Sequence, residues 1–263
     1  MPSLSVFSTK PPMPLEKRKR GIFPAKGPAV PGRAEAISAA DVAAAPHEIR
    51  RLGREELPQG TIDLTRFLIG KFVVHDLPAG RLSGRIVEAE AYPPGDPAGH
   101  HFRGPTPRIR SMYLAPGHAY IFFNYGNHFM LNVSSEPEGT AGGILIRAVE
   151  PLEGITLMQR YRRTKDLIDL TRGPGRLASA FRIDRRHDGV DLCAPGSLWL
   201  GALVPSSWRE KVEREIGITT RIGITRAAGE LLRFYEAGNP FVSGPKRLLA
   251  VHMPGNGNAT IVS

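Results

Sequence analysis

The chain of 263 residues has a single cysteine, Cys193. An internal disulfide is therefore excluded, and so is a zinc site built from several thiolates. A reducing compartment is the natural setting. No apolar run approaches the roughly 18 residues that a bilayer span requires. The Ala-rich stretch from Ala34 to Ala45 is interrupted by Glu35, Ser38 and Asp41. The N-terminus lacks the apolar core of a secretion signal. No HExxH motif and no nicotinamide- or flavin-binding motif is visible. The expectation is a soluble intracellular protein that needs no cofactor and no metal. It would be cytoplasmic or nucleoid-associated, or nuclear in a eukaryote.

What the chain does have is positive charge. Lys and Arg total 35 against 25 Asp and Glu, a net charge of +10. That balance points to a polyanionic partner, nucleic acid first and an acidic membrane second. Hydrophobic residues make up 41%, enough for one sizeable core.

Composition divides the chain near Leu57. Residues 1–56 are rich in Pro, Ala and basic side chains and keep no strand or helix period. They read as a disordered basic arm, with a short helix around Ser38 to Ala45. The run Lys17-Arg18-Lys19-Arg20 is either a solvated cluster or a tether that seeks phosphates.

From Leu57 to the end, 57–263, periodicity returns. Thr61 to Gly70 reads as a helix capped by Thr61 and ended by Gly70. Strands are expected over Lys71 to Asp76, Leu82 to Tyr92, Tyr120 to Tyr125, His128 to Ser134 and Gly143 to Val149. Gly126-Asn127 marks a hairpin. Helices follow at Ile155 to Tyr161 and from about Gly173. Later strands are expected over Ser197 to Gly201 and Thr220 to Ile224. The fold class is α+β: a single domain with a curved antiparallel β-sheet flanked by helices.

Chemistry concentrates in a few segments. In Glu88-Ala89-Glu90-Ala91-Tyr92, strand alternation puts Glu88, Glu90 and Tyr92 on one face and Val87, Ala89 and Ala91 on the other. The acidic face is either solvated or a pocket wall, and Tyr92 before Pro93-Pro94-Gly95 favours a wall. Arg103, Thr106, Arg108 and Arg110 look like phosphate contacts on a Gly/Pro-stiffened loop, with a merely basic surface loop as the alternative. His100-His101 would suit a metal only with a third ligand, and none is recognisable. Asn132 and Arg147 stand among apolar strand residues. A buried Arg147 needs an anionic partner, for which Glu90 is a candidate. Tyr125, at the lip of the hairpin, would expose apolar area unless it wedges into a base stack.

These segments, in order, resemble the alkyladenine (3-methyladenine) DNA glycosylase family. The ordered set comprises Glu88 to Tyr92, Asp96-Pro97-Ala98-Gly99-His100, Thr106-Pro107-Arg108, Tyr125-Gly126, Asn132, Arg147 to Leu152, Gly173 to Leu177, Arg221 to Ile224 and Leu232 to Tyr235. It spans about Leu57 to Pro245. The resemblance implies an enzyme that flips an alkylated or deaminated purine out of double-stranded DNA and hydrolyses its glycosidic bond. It implies Glu90 as general base and Arg147 as a holder of the attacking water. Tyr92 and Phe122 would sandwich the base, with His100 beside them and Asn132 at the edge to exclude guanine. Tyr125 would fill the vacated stack. Phe122 stands where Tyr is common and Ile109 where Asn is frequent, and His101 competes with His100 for the pocket position. A monomer acting on duplex DNA is expected. Two rivals are a glycosylase/lyase with a lysine nucleophile, Lys71 among the early strands, and a non-catalytic DNA- or RNA-binding module.

Overall fold

Side-chain alternation along neighbouring strands organises this fold. The structure is a computed structural model describing residues 48–124, 126, 128–204 and 215–244. Most of the expected arm, including Lys17 to Arg20 and Ser38 to Ala45, lies outside the described residues.

Strands β1 (Ile49–Arg51), β2 (Phe72–Leu77), β3 (Gly80–Tyr92), β4 (Ala119–Asn124), β5 (His128–Ser134), β6 (Gly143–Glu153), β7 (Leu198–Leu203), β8 (Ile216–Thr219) and β9 (Arg233–Glu236) form one sheet. Its order is β1-β7-β2-β3-β6-β5-β4, with β9 joining β3 to β8. Every pairing among the described residues is antiparallel. Helices α1 (Thr61–Leu68), α2 (Ile155–Arg162) and α3 (Pro174–Ala180) pack against it. The expected α+β architecture is therefore present. No helix among the described residues is long and apolar enough to cross a membrane.

The thirteen-residue strand β3 is the axis of the sheet. β6 runs along one edge, while the other edge forks: β2 pairs with Gly80 to Arg85 and β9 with Glu88 to Glu90. Arg85 clamps the fork by pairing with Glu150 on β6 and Glu236 on β9.

On β3, Val87, Ala89 and Ala91 enter the main apolar cluster. Ile144 and Ile146 of β6, Leu131 and Val133 of β5, and Ala119 and Ile121 of β4 join the same cluster. Leu64 and Leu68 of α1, Met158 of α2, and Leu177 and Phe181 at the end of α3 complete it. Glu90 and Tyr92, Arg147, Asn132, and Tyr120 and Phe122, which alternate with these residues, are thereby turned to the opposite face, where the candidate site lies.

Several local expectations change. The sheet begins ahead of Leu57. Ile49–Arg51 pairs with β7, and Leu52 is 1% exposed. The surrounding charges hide so short a strand, since Arg50 is turned to Glu56. Thr61 does not cap its own helix. Its backbone N–H and hydroxyl both donate to Glu136, which caps α1 from across the fold. The late strand is Ile216–Thr219 instead of Thr220 to Ile224. Arg233–Glu236 is a strand in its own right.

Phe181 is fully buried, so Phe181→Ala is expected to cost about 3–5 kcal/mol. At about 2–4 °C per kcal/mol for a domain of this size, the melting midpoint falls by roughly 6–20 °C. Phe122→Ala, on the half-buried opposite face, is expected to cost less than half as much. Thermal melts of the two variants check the assignment of faces.

Candidate active site

Four adjacent strands give the site its floor. Glu90 and Tyr92 come from β3, Leu145 and Arg147 from β6, Asn132 from β5, and Tyr120 and Phe122 from β4. A pocket of about 380 Å³ lies over Tyr92, His100, Tyr120, Phe122, Asn132 and Arg147, and residues Ile222, Gly223 and Ile224 close one side. That volume suits a small, flat ligand.

Glu90 is wholly buried. Its Oε2 accepts from the Tyr92 hydroxyl at 2.9 Å. Its Oε1 accepts from the Ile222 N–H at 2.8 Å and lies 3.1 Å from Arg147 Nη1. Burial, and then the neighbouring Glu90 carboxylate, push the Tyr92 phenol well above its usual range, so it is a proton donor at any physiological pH. Burial works against the Arg147 cation, but Glu90 and Glu88 outweigh it and keep it protonated. The expected Glu90–Arg147 pairing is thus present.

Glu88 is the larger anchor, and alternation alone did not reveal its part. It is wholly buried and accepts from Arg147 Nε at 3.0 Å, Arg233 Nε at 2.7 Å, and the Ser243 N–H and hydroxyl at 2.6 and 2.8 Å. The β3–β6 register shifts on both sides of Glu88. Such an irregularity re-aims side chains locally, here beside Arg147. Asp96 and Arg221 form a further buried pair. The signal available in advance was the charge itself: Arg221 and Arg233 each stand beside apolar residues.

The pocket wall is aromatic. His100 meets Phe122 edge-on at 4.5 Å between centroids and places Nδ1 2.9 Å from the Tyr120 hydroxyl. Packing against this wall, and then the charges of His101 and Arg108, lower the His100 pKa, so the ring is neutral at pH 7. Tyr120 and Phe122 stack at 5.9 Å. Asn132 donates to the backbone carbonyls of Tyr120 and Met130, which fixes its amide at the pocket edge. His101 turns away, its Nε2 against the Pro93 carbonyl at 2.9 Å, so the pocket histidine is His100. Ile109 is buried with Met112 and Tyr120 behind the wall, while Arg108 and Arg110 on either side are exposed. Arg103 and Thr106 are exposed as well. These four share the segment that carries His100. Tyr125 lies outside the described residues.

The profile of the methylpurine-DNA glycosylase family matches residues 55–240. The chain belongs to that family. As a methylpurine-DNA glycosylase family member it is a DNA glycosylase, and the pocket just described lies within the matched span. Relatives agree across the same region. A Mesorhizobium japonicum protein named "Putative 3-methyladenine DNA glycosylase" is 57% identical over 197 residues, covering 75% of this chain and 92% of that protein. Proteins of the same name from Paraburkholderia phytofirmans and Chlorobium phaeobacteroides are 51% and 41% identical, over 77% and 75% of this chain and 92% and 98% of theirs.

Glu88→Ala would leave Arg147 and Arg233 buried without their shared carboxylate. The expected loss of stability is about 3–5 kcal/mol. Denaturant unfolding checks this, and a loss below about 1 kcal/mol, the worth of an exposed pair, would contradict the role of Glu88 as anchor.

Proposed function

We propose that this chain excises alkylated or deaminated purines from double-stranded DNA, by attack of a water molecule that Glu90 activates. The substrate class comprises 3-methyladenine, 7-methylguanine, hypoxanthine and ethenoadenine. The observation that carries the reading is the buried carboxylate of Glu90 held directly behind Tyr92 and Arg147, two residues that line an aromatic-walled pocket. The family and the names of its relatives support the methylated purines of that class.

Such a pocket cannot reach a base within the duplex, so the nucleotide must rotate out of the stack. Tyr92 and Phe122 supply faces for an electron-poor purine ring. His100 and Asn132 offer hydrogen-bonding edges, and Asn132 at the pocket edge is the group that discriminates against guanine. An alkylated purine is already a good leaving group. Cleavage passes through an oxocarbenium-like sugar. Glu90 takes the proton of the attacking water as the new C–O bond forms, and the glycosidic electron pair leaves with the base. Arg147 keeps the Glu90 carboxylate in place and helps hold the water. No metal or organic cofactor enters this chemistry.

Arg103, Thr106, Arg108 and Arg110 grip backbone phosphates around the extruded nucleotide, and Tyr125 fills the gap it leaves. The basic residues of 1–56 add nonspecific affinity. The enzyme acts as a monomer. Lys71 fits a nucleophile poorly, because its Nζ lies 4.6 Å over the Phe67 ring.

Glu90→Gln keeps size and shape but removes the proton acceptor. Single-turnover release of hypoxanthine is expected to fall by about 10²–10⁴-fold, with affinity for the lesion duplex retained. Release at the native rate would show that Glu90 is not the base.

A further inference from the structure

The loop Arg221 to Ile224 crosses the pocket, and one buried pair fastens it. Arg221 and Asp96 have side-chain exposures of 0% and 1%. The guanidinium engages both carboxylate oxygens of Asp96, with Nη2 3.1 Å from Oδ1. Its Nη1 also donates to the Ala91 carbonyl at 3.0 Å. The same planar group lies 4.6 Å from the centre of the Tyr92 ring. Asp96 is itself held, accepting the Ala98 N–H at 2.9 Å on its side chain and the Gly99 N–H at 2.9 Å on its carbonyl. One residue beyond Arg221, the Ile222 N–H reaches Glu90 Oε1 at 2.8 Å.

These contacts converge on the reacting carboxylate. Arg221 grips the strand at Ala91, next to Glu90. It backs the ring of Tyr92, whose hydroxyl holds the other Glu90 oxygen. It also sets the start of the loop whose N–H holds the first. We infer that the Asp96–Arg221 pair is a positioning device for Glu90 and Tyr92, so that both residues govern the rate of glycosidic hydrolysis without touching the DNA. This rests on the reading of Glu90 as the general base.

The geometry requires arginine. A lysine could neutralise Asp96, but a single ammonium cannot span both Asp96 oxygens from two nitrogens while a planar cation covers the Tyr92 ring. Without that span the Ile222 N–H and the Tyr92 hydroxyl lose their registration on Glu90. A catalytic group displaced by about 1 Å can lose roughly 10²-fold in rate.

The test is single-turnover excision from a hypoxanthine duplex, with equilibrium affinity for the same duplex measured in parallel. Arg221→Lys and Ile222→Pro are each made in the native chain and in Glu90→Gln. Ile222→Pro deletes the N–H donor and leaves the ion pair, so it carries the test if Arg221→Lys fails to fold. In the native chain each change is expected to lower the rate by about 10- to 10²-fold, and Arg221→Lys, which lies outside the pocket lining, is expected to leave affinity unchanged. In Glu90→Gln neither is expected to add a further loss, because the group they position is gone. Native rates in the variants, or the same fractional loss in both backgrounds, would overturn the inference while leaving Glu90 as the base. Full activity in Glu90→Gln alone would remove the base assignment and the inference with it.

Discussion

Two carboxylates buried side by side on one face of a sheet constrain everything around them. Glu88 and Glu90 are both fully withdrawn from water. Uncompensated, each would carry a desolvation penalty of several kcal/mol. Arg147 reaches both, and Arg233 reaches Glu88. Because Arg147 stands on β6 and Arg233 on β9, charge compensation also ties together the strands on both edges of β3. Ser243 is drawn in by its bonds to Glu88. Ile222 is drawn in by its bond to Glu90. The charged face is therefore part of how the domain holds its shape, as well as the floor of a pocket.

The opposite face of the same strands carries the main apolar cluster. One period-two pattern thus serves stability and chemistry at once. Val87, Ala89 and Ala91 pack beneath the helices while Glu88, Glu90 and Tyr92 look the other way. Each strand of the quartet adds a different chemical element: acid from β3, cation from β6, amide from β5 and aromatic wall from β4. The exposed arginines stand on the segment that carries His100, so the cationic surface borders the aromatic wall without entering the acidic floor.

Much of this was legible in the residues. Alternation separated the two faces of β3, and the isolated charge of Arg147 pointed to Glu90. His128 to Ser134 keeps its expected bounds, and β6 and α2 begin where expected. What escaped was whatever depends on distant partners. Thr220 to Ile224 has strand-like composition, yet the pull of Asp96 on Arg221 and the positive φ of Gly223, 77°, take it out of the ladder. Arg233, between Leu232 and Phe234, gives no sign of its partner until Glu88 is known to face it. Glu136 capping α1 is invisible from residue 61 alone, since 75 positions separate the partners. His100 and His101 were indistinguishable by type, and as successive residues of the 3₁₀ turn His100–Arg103 one points to the pocket and the other to Pro93.

The central claim is that the acidic floor directs water, and not a protein amine, to the sugar. The most direct test is borohydride reduction during turnover on a lesion duplex, with the released base and the DNA strand followed together. Hydrolysis by water predicts free purine, an unbroken strand bearing an abasic site, and no protein–DNA cross-link, because neither Glu90 nor Arg147 forms an imine. A reduced cross-link that accumulates with base release would contradict the account.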